Sequence, residues 1–281
     1  MELFKWSGAG NTFVVLDGRK EDTSAFRDAG EIRRLCTLHS SDGLMILGNS
    51  PSGHDFSMEF FNPDGSGGMM CGNGGRCITA FARYLGIPGA APALPEGTVA
   101  DGQYPAAYVF DAPDGVHFSQ ILSRDGDRRW TVRLGMKDVD GIAETPYGLF
   151  LDTGTRHLVT FVPDVEKVDV EREGGRLRRL PGFGPAGTNV NFVHQAPDGL
   201  YVRTFEKGVE RETLACGTGI TASAIASFHR GTKPSEVGGD GRVKYCIHAR
   251  TDVLFVEFTQ KKEDAFTDVF LTGPAELLLQ L

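Results

Sequence analysis

Two cysteines in this 281-residue chain sit in settings that favour a reactive sulfur. Cys71 opens CGNGGRCITAFARYLG and Cys216 opens CGTGITASAIASFHRG, so each leads a glycine-rich turn, an apolar helical run and a closing glycine. A glycine-rich turn feeding a helix leaves several backbone N–H groups aimed at one spot, and the helix dipole adds partial positive charge there. Such a loop holds an anion. Two anions compete for the place: the carboxylate of a substrate, and the thiolate of the cysteine itself, whose pKa falls from about 8.5 toward about 3.5–7.5 in such surroundings.

A pair of such thiols suits one reaction in particular. Removing the α-proton of an amino acid leaves a poorly stabilised carbanion, for which pyridoxal phosphate on a lysine is the common electron sink. No sequence feature singles out a cofactor lysine, and no cofactor is expected. Hydrogen bonds from the two loops would then stabilise an enolate-like state in a dry cavity. Inversion needs a base on one face of the carbon and an acid on the other. Cys71 and Cys216 can supply one each, exchange roles on reversal and titrate as a coupled unit. Cys36, Cys77 and Cys246 lie within or beside apolar runs and read as packed small hydrophobes.

Most of the chain that must hold these loops reads as strand. Alternating or apolar runs at 13–16, 56–60, 108–110, 130–134, 190–193, 200–205 and 253–258 are bounded by Gly, Pro, Asn and Asp. Three stretches read as helix: 24–39, with Ile32, Leu35, Cys36 and Leu38 at helical spacing; 76–85, stopped by Gly86 and Pro88; and 220–229, stopped by Gly231 and Pro234. The last two are small and apolar on nearly every face, as a helix surrounded by sheet must be.

The cysteine segments start 145 residues apart (216 minus 71). A repeat at that period predicts two domains of similar build rather than a solenoid. The fold class expected is α/β, with two pseudo-symmetric domains, each a curled β-sheet around a central helix, and the active site in the cleft between them. The boundary falls near 133–135. The closing TDVFLTGPAELLLQL reads as a strand returning to the first domain, which gives an N-terminal domain of 1–133 plus 266–281 and a C-terminal domain of 134–265. The Pro/Gly/Ala-rich stretch 86–102 reads either as a linker or as a surface loop.

Composition narrows the function classes. With 40% hydrophobic and 23% charged residues the chain is an ordinary globular one. A net charge of −8 without a Lys/Arg stripe argues against a nucleic-acid partner and is compatible with a small zwitterion. No apolar run reaches the roughly 18 residues that span a bilayer, so no membrane partner is expected. The opening MELFKWSGAGNTFVVLDG does not read as a secretory or transit signal, which points to the cytoplasm. Five cysteines in such a chain argue for thiols rather than structural disulfides. A metal site is not expected: Cys71 and Cys77 are six apart, no CxxC occurs, and the seven histidines are scattered.

Taken alone, Asn11, Asn62, Asn73 and Asn189 lie in turn contexts, where asparagine commonly serves the local backbone. His157 reads as a structural histidine, and Glu206 with Lys207 as a solvated pair.

The motifs also carry a likeness that runs nearly end to end. GAGNTFVVLDG, FFNPDGSGGMMCGNGGRC, GTNVNF, ETLACGTG and LTGPAE resemble successive motifs of the diaminopimelate epimerase family. The resemblance implies two pseudo-symmetric α/β domains closing over L,L-diaminopimelate, its interconversion with the meso isomer for lysine and cell-wall precursor synthesis, and a homodimer. It makes Cys71 and Cys216 the acid/base pair. Asn11, Asn62, Asn73, Asn189, Glu206 and Lys207 become substrate-binding residues, with the backbone of Gly72, Gly217 and Thr218. His157 and Glu206 fall where the family modulates the thiols.

The chain departs from that pattern in places. Thr155 of GTRH stands where an asparagine is usual, and Lys207 replaces an arginine, losing the planar fork that grips a carboxylate. GVERET is one residue longer than the usual loop, so Glu210 and Arg211 compete with Glu206 and Lys207 for the same roles. Gly43 sits where some members have glutamine. Three other readings compete: a proline or hydroxyproline racemase, a binding relative that kept the fold, and a thiol redox protein cycling a Cys71–Cys216 disulfide.

Overall fold

The chain begins on a hairpin: β1 (Leu3–Gly8) pairs antiparallel with β2 (Asn11–Asp17) across Ala9 and Gly10, whose φ angles are +51° and +90°. Positive φ at both central positions gives the turn whose twist matches a hairpin. GAGN is therefore a turn, and it sets Asn11 at the head of β2. The computed structural model describes residues 1–68, 71–89 and 106–281; beyond residue 89, the stretch 86–102 read as linker or loop lies outside them, as do Met69 and Met70.

Contacts divide the chain into two units, Met1–Leu134 with Gly273–Leu281, and Gly135–Thr272. In the first, α1 (Ala29–His39) starts at Asp28, whose carboxylate accepts from Glu31 N–H, and buries Ile32, Leu35 and Cys36 against Val14, Leu16, Leu44 and Ile46. β3 (Leu44–Gly48) runs parallel to β2, and β4 (Phe56–Phe61) returns beside it. Next come α2 (Gly72–Tyr84) and the meander β5 (Ala106–Ala112), β6 (Gly115–Asp125) and β7 (Arg129–Gly135). Every residue of α2 from Gly72 to Ala82 is buried, as expected of a helix enclosed by sheet. Phe81 packs on Phe4 and Trp6, and Trp6 lies 5.2 Å from Trp130, centroid to centroid.

The second unit holds the short β8 (Val139–Asp140) and β9 (Ala143–Thr145), then β10 (Gly148–Asp152), β11 (Arg156–Phe161), α3 (Val170–Leu177), β12 (Asn189–Ala196), β13 (Gly199–Glu206) and β14 (Arg211–Thr213). After these come α4 (Gly217–His229), β15 (Glu236–Val237), β16 (Val243–His248), β17 (Val253–Lys262) and the first part of β18 (Ala265–Gln280), which passes to the first unit at Gly273. β11 and β12 are parallel, as are β13 and β16, while β10–β11, β12–β13 and β16–β17 are antiparallel. α4 is buried on nearly every face and packs against β10 to β13, β16 and β17. Each unit is thus sheet around one small-residue helix.

The structure differs from the sequence reading in several details: the stretch 24–39 is a 3-10 turn at Ser24–Arg27 before α1 begins at Ala29, and α3 is not among the expected helices. Both enclosed helices start earlier than 76 and 220, at Gly72 and Gly217, so the glycines form the first helical turn and the cysteines stand at the N-cap. The closing strand also stays in the second unit to Thr272 rather than leaving at 266, because β18 pairs with β17 as far as Phe255–Thr272. From Gly273 it pairs with β7, and its last turns of pleat pair with β1.

Candidate active site

In the first unit the chemistry gathers at the N-terminus of α2. Cys71 caps the helix, its sulfur accepting from the Gly74 N–H at 3.1 Å, while Gly75 N–H closes the first turn on Cys71 O at 2.8 Å. The position of Gly74 is tight: a Cβ there would lie 3.1 Å from Cys71 Sγ and 3.2 Å from Met45 Sδ. Gly8 of β1 is tighter, since a Cβ would stand 2.7 Å from Asn73 O. The hairpin therefore lies directly on the helix start.

The asparagines expected here form a directed chain. Arg76 Nη2 donates to Asn73 Oδ1 at 2.8 Å; a guanidinium only donates, so the other end of that amide is the nitrogen. Asn73 Nδ2 donates to Asn11 Oδ1 at 2.6 Å, and Asn11 Nδ2 to Asp42 Oδ2 at 3.3 Å. Both amide orientations follow from the ends of the chain. Arg76 is fully buried, and its remaining donors meet Gly72 O at 3.1 Å and Pro274 O at 3.3 Å. Asn62 lies in the NPDGSG turn, donating to Ser66 Oγ at 3.0 Å and Gly67 O at 3.4 Å. At Gly43 the Phe60 ring leaves no room for a side chain, with Cε2 2.5 Å from an added Cβ.

In the second unit the residues gather on one face of β11 to β13, beneath the N-terminus of α4. The period of two along a strand puts His157 and Val159 opposite Asn189 and Asn191, and Asn191 opposite Thr204. His157 Nε2 lies 2.9 Å from both Thr155 Oγ1 and Thr218 Oγ1, and Cys216 Sγ lies 3.4 Å from Thr218 Oγ1. Thr153 Oγ1 anchors the Thr218 carbonyl at 2.9 Å. Thr155 is a junction: it also accepts from Asn189 Nδ2 at 3.1 Å and lies 3.3 Å from Thr218 Oγ1.

Burial of His157 pushes its pKa down to about 3; Asp152 opposes that shift and Lys207 adds to it. The ring is neutral across the physiological range and works as a fixed dipole, not a titrating base. Asn189 Oδ1 accepts the Lys207 N–H at 2.8 Å, which ties the end of β13, where Glu206 closes the strand and Lys207 opens the turn, to the histidine cluster. Glu210 lies elsewhere: its carboxylate pairs with Arg178 and Arg179 at 2.7 Å each, just past α3, and accepts the Gly208 N–H. Arg211 is exposed opposite Glu206. Glu210 takes a left-handed backbone in this turn, at φ +59°.

The other cysteines are chemically quiet. Burial pushes the Cys36 thiol up to about 11, with Asp42 adding to it, and raises Cys77, which is fully buried, still further. Cys246 is raised by burial and by Asp198.

Two residues of these clusters escape a reading of the sequence. Arg76 looks like the polar edge of a helix start, and only its total burial gives it weight. Asn191 had a visible signal, since N-V-N places it on the face of Asn189.

A family model described as Diaminopimelate epimerase matches residues 149–242. The chain is 37% identical over 289 aligned residues to the diaminopimelate epimerase of Flavobacterium psychrophilum, covering 100% of this chain and 99% of that one. It is 37% identical over 295 aligned residues to that of Aquifex aeolicus, covering 97% and 94%. Among solved structures, a PhzF-family phenazine biosynthesis protein of Bacillus anthracis matches with a TM-score of 0.71 at 13% identity, over 100% of this chain and 98% of that one. At that identity the match speaks for the fold alone. With more than a third of its residues identical to such relatives along nearly its whole length, the chain belongs to the diaminopimelate epimerase family.

Proposed function

We propose that this protein interconverts L,L-2,6-diaminopimelate and the meso isomer by moving one α-proton between the sulfurs of Cys71 and Cys216, without a pyridoxal cofactor. The observation that carries the reading is the recurrence, in a chain of this family, of a cysteine at the N-cap of an enclosed helix in both units.

One cysteine, as thiolate, takes the α-proton and becomes the thiol. The electron pair left on carbon is delocalised into the carboxylate as an enolate-like dianion, toward which first-turn N–H groups at Gly72, Asn73, Gly217 and Thr218 donate. The other cysteine, as thiol, returns a proton to the opposite face and ends as the thiolate. One stereocentre is inverted, no bond is oxidised, and the pair finishes with its charges exchanged, ready for the reverse reaction.

Asn11, Asn62, Asn73 and Asn189 with Glu206 and Lys207 bind the ammonium and carboxylate groups of the substrate. Lys207 supplies a point charge rather than a bidentate fork, which loosens the orientation of the carboxylate it meets. His157 and Glu206 set the proton affinity of the thiols. The protein acts in the cytoplasm as a homodimer, on a precursor of lysine and of the cell wall.

The test is conversion itself. Purified protein under reductant, given L,L-diaminopimelate, is expected to form the meso isomer, resolved by chiral chromatography, and Cys71→Ala and Cys216→Ala are each expected to abolish it. No conversion by the reduced parent protein would overturn the reading.

A further inference from the structure

Asn191 is fully buried, and its amide has one possible orientation. Nδ2 lies 3.3 Å from Leu158 O and 3.1 Å from His157 Nδ1, while Oδ1 accepts from Thr204 Oγ1 at 2.9 Å. A carbonyl oxygen only accepts, so the Leu158 contact fixes that end of the amide as the nitrogen. His157 Nδ1, receiving a donor, must carry a lone pair. The ring proton therefore sits on Nε2.

That assignment settles the direction of the next bonds. Nε2–H faces Thr155 Oγ1 and Thr218 Oγ1, each at 2.9 Å, and can accept from neither. Thr155 Oγ1 already receives Asn189 Nδ2, whose own orientation is fixed by the Lys207 N–H on its oxygen and Arg156 O on its nitrogen. Thr155 Oγ1, 3.3 Å from Thr218 Oγ1, has the Asn189 amide and the Nε2–H on its two lone pairs and so has its own proton left to give. That leaves the Thr218 hydroxyl proton with Cys216 Sγ before it at 3.4 Å. A donor on a thiolate stabilises the charged form. With the ring proton on Nδ1, Nε2 would instead capture the Thr218 hydroxyl.

We propose that Asn191 is a positioning residue for Cys216: by holding His157 in the Nε2–H tautomer it makes the Thr218 hydroxyl a donor to the sulfur. The inference deepens the proposed function and rests on it for the use made of Cys216.

A second feature shows that the place of Asn191 is built. A Cβ on Gly219 would stand 2.3 Å from Asn191 Oδ1 and 3.3 Å from Cys216 Cβ. The second glycine of CGTG is thus what lets this amide lie under the helix start. In CGNG the equivalent Gly74 borders Cys71 Sγ itself and gives that sulfur its own N–H. The amide–imidazole–hydroxyl line is a device of the second loop. The charged groups acting on the ring are Asp152 and Lys207, which oppose each other.

The experiment has two readouts. Nitrogen-15 NMR of the imidazoles in the parent protein is expected to show His157 protonated at Nε2 alone. Asn191→Asp replaces the donor to Nδ1 with an acceptor and is expected to move the ring proton to Nδ1. In that variant the pH midpoint for iodoacetamide labelling of Cys216, followed by peptide mass spectrometry, should rise by about one unit or more, the scale of one lost hydrogen bond to a charged group. The Cys71 midpoint should stay put. Thr218→Val should give the same rise, and the double variant no further one. An Nδ1–H tautomer in the parent protein, or a folded Asn191→Asp protein with an unmoved Cys216 midpoint, would overturn the inference. Both readouts use the protein without substrate, so failure of the epimerase reading would register separately, as absent diaminopimelate turnover.

Discussion

The backbone N–H of Gly74 donates to the sulfur of Cys71 at 3.1 Å. The sulfur of Cys216 lies 3.4 Å from a side-chain hydroxyl, that of Thr218. A repeat in sequence has thus been filled in with two different supports, one of main chain and one of a hydroxyl whose direction depends on its neighbours.

The Gly74 N–H favours thiolate at Cys71, as the Thr218 hydroxyl does at Cys216 when it donates, and burial disfavours thiolate at the other cysteines. Iodoacetamide at pH about 8 on the folded, reduced protein is expected to label Cys71 and Cys216 at least about tenfold faster than Cys36 and Cys77. Peptide mass spectrometry reads the sites. Labelling of Cys77 at the rate of Cys71 would contradict the assignment.

Arg76 donates to two buried acceptors, Gly72 O and Asn73 Oδ1, and to the part-buried Pro274 O. Arg76→Leu leaves them without its donors and is expected to cost about 2–4 kcal/mol, seen as a lower urea midpoint. Arg76→Lys keeps the charge without the fork and should recover part of the loss. An unchanged midpoint in Arg76→Leu would remove the guanidinium from the account.

The folded-state pKa of His157 is depressed from 6.5 to about 3 by burial. The unfolded chain takes up this proton below pH about 6.5 while the folded protein refuses it. Stability from this group is therefore intact above pH 6.5 and lost as the pH falls from there toward 3, by on the order of 5 kcal/mol. His157→Gln cannot titrate. The difference between parent and variant unfolding free energies should slope over pH 3–6.5 and flatten above it, and a flat difference throughout would show a solvated imidazole.

Glu206 and Glu210 separate the two ways of aligning the lengthened loop. Glu210 pairs with Arg178 and Arg179 at a partly exposed site, so Glu210→Gln should cost at most about 1 kcal/mol and leave turnover within about twofold. Glu206→Gln is expected to lower turnover by about tenfold or more, the scale of a lost hydrogen bond to a charged group. The opposite ranking would put Glu210 at the substrate.

The strands and both enclosed helices were legible because their signals are local: alternation, apolar runs, and glycine or proline at the ends. α3 was not. Its buried face includes Gly174, against which Phe205 packs so closely that a Cβ would lie 2.3 Å from Phe205 Cβ, so half its packing surface is invisible to a hydrophobic pattern. The cysteine loops could be read from composition, but the partners of His157 could not. They come from Thr155 just before β11, from β12 and from α4, and only parallel pairing of β11 with β12 puts Asn191 beside a ring 34 residues earlier. The shift of both helix starts to the glycines has a similar cause. Glycine has low helix propensity, which hides a first turn whose N-cap is a sulfur.

The central claim is that the proton leaves to one sulfur and arrives from another. In deuterated water with L,L-diaminopimelate at early times, the meso product should carry deuterium at its inverted α-carbon while the recovered L,L substrate stays protiated, because the thiol that took the proton returns the same one on reversal. Deuterium entering recovered substrate as fast as product, or a product that keeps protium, would contradict it.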